Sequence, residues 1–106
     1  MPLAKLDVFA PDVVALAEFA KALGHPARIR VLEFLAGRGE VACMEIVEAL
    51  PLSQPTCSRH INVLLKAGLL KSRLDGSHVW FRLNENKLAE FCEAMGRKLH
   101  PGSAIP

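Results

Sequence analysis

The sequence predicts a mainly α-helical domain that carries one β-hairpin, and three observations support this. Apolar residues recur at i, i+3, i+4 and i+7 in separate stretches, the mark of helices with one buried stripe. Asp75-Gly76 stands between two alternating, apolar-rich runs, a strong short-range hairpin signal. Only Pro51-Leu52-Ser53 separates the third helical stretch from the fourth, so two short helices meet across a tight turn. That is the layout of a helix-turn-helix, and a hairpin directly after its second helix is a wing.

Residues 1–10 have no clear start or stop and read as a loose arm or a helix beginning. Pro11-Asp12 opens a helix to about Leu23, with Val13, Leu16, Ala17, Ala20 and Leu23 as a broad apolar face, and Gly24-His25-Pro26 ends it. A second helix, over about Ala27–Ala36, presents Ile29, Leu32 and Leu35 with Val31 and Phe34 beside them, before Gly37-Arg38-Gly39 breaks it. A third, over about Cys43–Leu50, has Cys43, Ile46, Val47 and Leu50 on one stripe.

The fourth helix, from about Gln54 to Ala67, is the stretch around which the chain is organised. Ser53 suits the N-cap, Pro55 suits the first turn, and Gly68 is a natural stop. At about 100° per residue, Cys57, Ile61, Leu64 and Leu65 share one stripe. Pro55, Ser58, Arg59, Asn62 and Lys66 lie opposite, with no acidic residue among them. Strands are expected over Leu69–Leu74 and His78–Leu83. A last helix runs from Asn84, which can cap it, to Leu99, with Leu88, Phe91, Cys92, Met95 and Leu99 on its stripe; residues 100–106 read as a frayed tail.

Composition narrows the function classes. At 106 residues the chain is one domain, small enough that a dimer partner would help it bury apolar surface. With 51% hydrophobic and 23% charged residues it is globular rather than disordered. No run approaches the roughly eighteen apolar residues of a membrane span, and no basic-then-apolar signal opens the chain, so a soluble cytoplasmic protein is expected. Three cysteines without a Cys-x-x-Cys argue against a disulfide framework or a zinc ribbon. There is no Gly-rich phosphate loop and no supported Cys/His pair, which argues against an enzyme.

The net charge of +2 is unevenly spread: residues 53–82 hold five basic side chains against Asp75 alone. A positive middle third is the footprint of a surface that faces phosphates. Gln54, Thr56, Ser58, Arg59 and Asn62 lie towards the start of the fourth helix, where Gln and Asn can pair with adenine and Arg with guanine. Lys66, Lys71, Arg73 and Arg82 read as phosphate contacts, and Ser77 and His78, beside the hairpin tip, as minor-groove or backbone contacts. His60 lies on the flank of the helix, where bracing and DNA contact are both open. The alternative is a winged helix that contacts only proteins, which would bind DNA without salt dependence or not at all.

Three stretches, Lys21-Ala-Leu-Gly-His-Pro-Ala-Arg-Ile-Arg-Val-Leu-Glu-Phe-Leu35, Leu52-Ser-Gln-Pro-Thr-Cys-Ser-Arg-His-Ile61 and Leu64-Leu-Lys-Ala-Gly-Leu-Leu70, in this order and spacing, resemble the ArsR/SmtB family of winged helix-turn-helix transcriptional repressors. The resemblance covers roughly Val13 to Leu99. It implies elements in the order α-α-α-α-β-β-α, a homodimer built from the first and last helices, and repression relieved when a small inducer binds. A dimer presenting two reading helices one duplex turn apart, roughly 34 Å, would require an inverted-repeat operator in double-stranded DNA.

The inducer is left open between a soft metal or metalloid and a thiol-reactive signal, for which Cys43, Cys57 and Cys92 are the candidates. Each also sits on its helix's apolar stripe, where a free cysteine packs as a small hydrophobe. Where arsenic-type members carry Cys-x-Cys-Asp, this chain has Ala42-Cys43-Met44-Glu45. Where zinc-type members carry Asp-x-His, it has Asn84-Glu85-Asn86 and no later histidine before His100. Neither metal site is carried over, and no cofactor is assigned.

Overall fold

In the computed structural model, which describes residues 8–102, the elements run α1 (Pro11–Leu23), α2 (Pro26–Leu35), β1 (Val41–Ala42), α3 (Cys43–Ala49), α4 (Gln54–Lys66), β2 (Leu70–Asp75), β3 (His78–Leu83) and α5 (Glu85–Leu99). The readings of residues 1–7 as an arm and of 103–106 as a tail lie outside the described residues. The expected helices and hairpin are all present, with ends within two residues. The addition is β1, whose two residues are too short to show any alternation in sequence. It pairs with β3 and makes a three-stranded antiparallel sheet in the order β1-β3-β2.

The core gathers where α2, α3 and α4 meet the sheet base. Val31, Leu32 and Leu35 of α2, Ile46 of α3, Cys57, Ile61 and Leu64 of α4, and Leu69, Leu70, Val41 and Phe81 around the sheet form one buried cluster. The inner stripe of α4 is as its periodicity predicts, with Leu65 half-buried at its edge. Two helices turn differently from expectation. Ile29 is 49% exposed, because α2 presents Val31, Leu32 and Leu35 instead. In α1, Phe19 and Ala22 enter the core, while Val13, Ala17 and Ala20 face outwards.

Local chemistry closes each helix. Pro26 takes the first position of α2, and His25 caps it by accepting the Ala27 N–H at Nδ1 (3.0 Å). Glu45 reaches back to the Ala42 N–H (2.7 Å) at the start of α3. Ser53 occupies the N-cap of α4, yet its hydroxyl donates to Thr56 Oγ1 (3.0 Å) rather than capping the backbone. Gly68 takes φ +80°, which turns the chain from α4 into the sheet. Asn84 caps α5 by accepting the Lys87 N–H at Oδ1 and donates from Nδ2 to the Gly68 carbonyl (2.9 Å), so one side chain ties the end of α4 to the start of α5.

Between α1 and α5, Phe19 and Phe91 stack with ring centroids 4.2 Å apart. Beyond that contact α5 is thinly covered. None of its residues is buried, and Leu99 is 71% exposed despite the helix's clear apolar stripe.

Leu64→Ala should cost about 3 kcal/mol in denaturant unfolding, since it opens a void in a site with no solvent access. Leu74→Ala, on the outer hairpin, should stay within about 0.5 kcal/mol of the parent. Comparable losses would mean that the core does not lie where α4 meets the sheet.

Candidate nucleic-acid interface

Burial of Cys57, Ile61 and Leu64 fixes the rotation of α4, and the residues opposite them follow from helical geometry. Gln54, Pro55, Arg59, Asn62 and Lys66 are exposed; Thr56 and Ser58 are half-exposed at the margins. Arg59 donates from Nη2 to Thr56 Oγ1 (3.2 Å), and Thr56 also receives the Ser53 hydroxyl. The first two turns of α4 thus carry a short chain of polar groups. With no acidic residue in α4, this ridge offers hydrogen-bond donors and positive charge to whatever lies above it.

The hairpin stands beside that ridge. Gly76, with φ +63°, and Ser77 make its tip, and Asp75 and His78 flank the turn, all in the open. Lys71 and Arg82 are cross-strand partners, both exposed. Neither has an ion-pair partner among the described residues. Arg73, read from sequence as one of the same phosphate-contacting set, is differently placed: Nε and Nη2 each donate to the Glu40 carboxylate at 2.9 Å, and Asp75 Oδ2 lies 3.8 Å from Nη1. The pairing holds the Glu40 carboxyl below the usual range and raises Arg73. Glu40 carried no signal in sequence, because it precedes a strand too short to announce itself.

On the flank of α4, His60 packs against the loop that joins α1 to α2. Its ring lies 4.3 Å from that of His25, and Arg28 Nη1 approaches its Nδ1 at 3.4 Å. Arg28 Nη2 also donates to the Lys21 carbonyl (3.4 Å), so the cluster ties α4 to α1 and α2. His60 is therefore a bracing residue, and the His25 it packs against is also the cap of α2. Burial lowers the His60 pKa, and the neighbouring His25, Arg28 and Arg59 push the same way.

Cys43 of α3 and Cys57 of α4 are neighbours, and Cys92 lies on α5. Cys57 is fully buried, Cys43 half-buried and Cys92 exposed. Burial raises the Cys57 pKa, and the neighbouring Cys43 adds to the effect. Among the described residues no three His, Cys, Asp or Glu side chains gather as a metal site, and no helix is long and apolar enough to cross a membrane.

A buried helix-turn-helix, an acid-free polar ridge and a basic hairpin beside it define a winged helix-turn-helix DNA-binding protein. Residues 23–73 match the helix-turn-helix domain family. The chain is 35% identical over 95 residues to the biofilm growth-associated repressor of Agrobacterium fabrum, covering 90% of this chain and 78% of that one. It is 37% identical over 89 residues to an arsenic resistance transcriptional regulator of Pseudomonas putida, covering 84% and 65%. An ArsR-like transcriptional regulator from Rhodococcus sp. RHA1 superposes with a TM-score of 0.74 at 25% identity, covering 84% of this chain and 83% of that one. The chain belongs to the ArsR family of transcriptional regulators and is a DNA-binding regulator of transcription. Between a DNA reader and a module that contacts only proteins, family membership decides for the DNA reader.

Because the folded-state pKa of His60 lies below the value of about 6.5 for an unfolded histidine, its contribution to stability is full above that value and is lost as pH falls through the lower folded pKa. The charged and titratable groups facing it, His25, Arg28 and Arg59, are all basic, so none of them offsets the loss. Denaturant stability should drop between about pH 7 and pH 5, and His60→Gln should flatten the drop. An equal drop in both proteins would assign it to other groups.

Proposed function

We propose that the protein is a homodimeric repressor that reads an inverted-repeat operator and leaves it when a small soft-metal, metalloid or thiol-reactive inducer binds. The observation that carries the DNA-reading part is the exposed Arg59, Asn62 and Lys66 ridge, opposite a stripe of α4 that is at most 2% exposed. In this reading Gln54, Thr56, Ser58, Arg59 and Asn62 meet base edges, Lys66, Lys71 and Arg82 meet phosphates, and Ser77 and His78 reach the backbone or minor groove.

The dimer reading is supported by α1 and α5. Their outward apolar residues, among them Val13, Leu16, Met95 and Leu99, are half-buried or exposed in one chain, and between the two helices runs a shallow groove lined by Ala15, Leu16 and Ala94 and by the charged Asp12, Arg97 and Lys98, with Lys98 paired to Asp12 at 2.8 Å. A second copy covering this face would place the two reading helices symmetrically.

For the inducer, Cys43 and Cys57 lie on the two helices of the helix-turn-helix, and Cys92 lies on α5. Among the described residues no three ligating side chains gather into a metal cage. Half-buried Cys43, a neighbour of the buried Cys57 thiol, is the one of this pair that a thiol-reactive signal reaches first. Any group added at buried Cys57 has to displace α4 from its bed. An inducer that prefers the displaced state lowers operator affinity by the same free energy with which DNA disfavours the inducer.

Binding to the gene's own upstream DNA should fall steeply with salt, and Arg59→Ala should lower affinity about a hundred-fold, the upper range for a bidentate base contact. Affinity indifferent to both would remove the reading. Adding arsenite, cadmium, zinc or peroxide to the same gel-shift identifies the inducer class. If Cys43→Ala and Cys57→Ala variants respond as the parent does, the signal does not act through those thiols.

A further inference from the structure

Resting on the DNA-reading proposal, we infer that Glu40 is a positioning residue for the DNA-reading surface: its two-bonded grip on Arg73 braces the hairpin and takes Arg73 out of the phosphate contacts, leaving Lys71 and Arg82 as the wing's phosphate cations. A hairpin needs such a brace. Every residue of β2 after Leu70 is exposed, and Leu74 is 71% exposed, so the outer half has no core beneath it. Two strands alone are marginal in water. The third strand, β1, supports only Phe81 and Trp80. Glu40, immediately before β1, reaches over to Arg73 on β2, which is the far edge of the sheet, so the fork spans all three strands.

The Nε–Nη2 edge of Arg73 is occupied, while the side chain as a whole stays 52% exposed. Nε and Nη2 donate to the two Glu40 oxygens and Nη1 faces Asp75, so each of its nitrogens has a carboxylate neighbour. To meet a phosphate with that same edge it would have to surrender two parallel charge-assisted bonds. The local charge also opposes the approach of DNA at that point, since Arg73 is outnumbered by Glu40 and Asp75. At the Lys71 and Arg82 pair, Arg82 also feels the Glu40 charge, but among the described residues neither cation has a carboxylate within ion-pair distance. The hairpin thus has an acid-balanced stretch at Arg73 and a cationic one nearer its base.

Affinity for the upstream duplex measured against salt separates contact from brace. Lys71→Gln and Arg82→Gln should each reduce the slope of log affinity against log salt by about one. Arg73→Gln and Glu40→Gln should leave the slope at the parent value while weakening binding by a similar factor at every salt, on the order of five-fold, and the double variant should be no weaker than either single. Without DNA, backbone amide exchange over Leu70–Leu83 should quicken in Glu40→Gln and Arg73→Gln but not in Lys71→Gln. A slope reduced by about one in Arg73→Gln, tighter binding in Glu40→Gln, or unchanged exchange in both would overturn the inference. If the parent itself shows no salt-dependent binding, the operator-reading proposal falls, while the exchange measurement still decides the brace.

Discussion

The structure depends on the burial of one stripe of one helix. Cys57, Ile61 and Leu64 sit with almost no solvent contact among α2, α3 and the sheet base, and this fixes the rotation of α4 about its own axis. A helix free to roll would spread its polar side chains over many directions. Once the inner stripe is seated, Arg59, Asn62 and Lys66 can point only outwards. The reading surface is therefore a by-product of core packing, and the hydrophobic term that holds the domain together also aims its hydrogen-bonding groups.

Around that helix the chain places short polar struts rather than more core. Arg28 and His25 hold the flank of α4 through His60, Asn84 links its far end to α5, and Glu40 holds the hairpin through Arg73. Each strut joins elements far apart in sequence. Individually they lie at or near the surface, where such contacts contribute modestly to stability. Their effect is on geometry: they limit how far α4, α5 and the hairpin tilt relative to one another, and a duplex senses tilt because its grooves and phosphates have fixed spacing.

The outward ridge of α4 is polar and basic, and the hairpin beside it adds Lys71 and Arg82 together with the exposed Leu74 and Val79, whereas α1 and α5 leave Val13 and Leu99 uncovered. A family of DNA-binding regulators fits that division, with nucleic acid on one side and a protein surface on the other. Contacts run from α1 to α2 and from there into the flank of α4, by way of Lys21, Arg28 and His60.

Periodicity, caps and turn residues by themselves determined the helices, the hairpin, the helix-turn-helix and the outward residues of α4, because all of these follow from local geometry and a strict repeat. The same reasoning misread α1 and α2. It put Val13, Ala17, Ala20 and Ile29 on the buried sides, since α1 is apolar most of the way round and the apolar residues 29, 31, 32, 34 and 35 of α2 leave more than one arc that could meet the core. Only the tertiary structure decided that Phe19 and Val31 turn inwards, that β1 joins the sheet, and that Arg73 is held by Glu40 while Lys71 and Arg82 remain without an ion-pair partner among the described residues. A basic residue looks the same in sequence whether its charge is spent inside the molecule or offered outside it. The difference lies in which carboxylate the fold brings within reach, and that residue is thirty-three positions away.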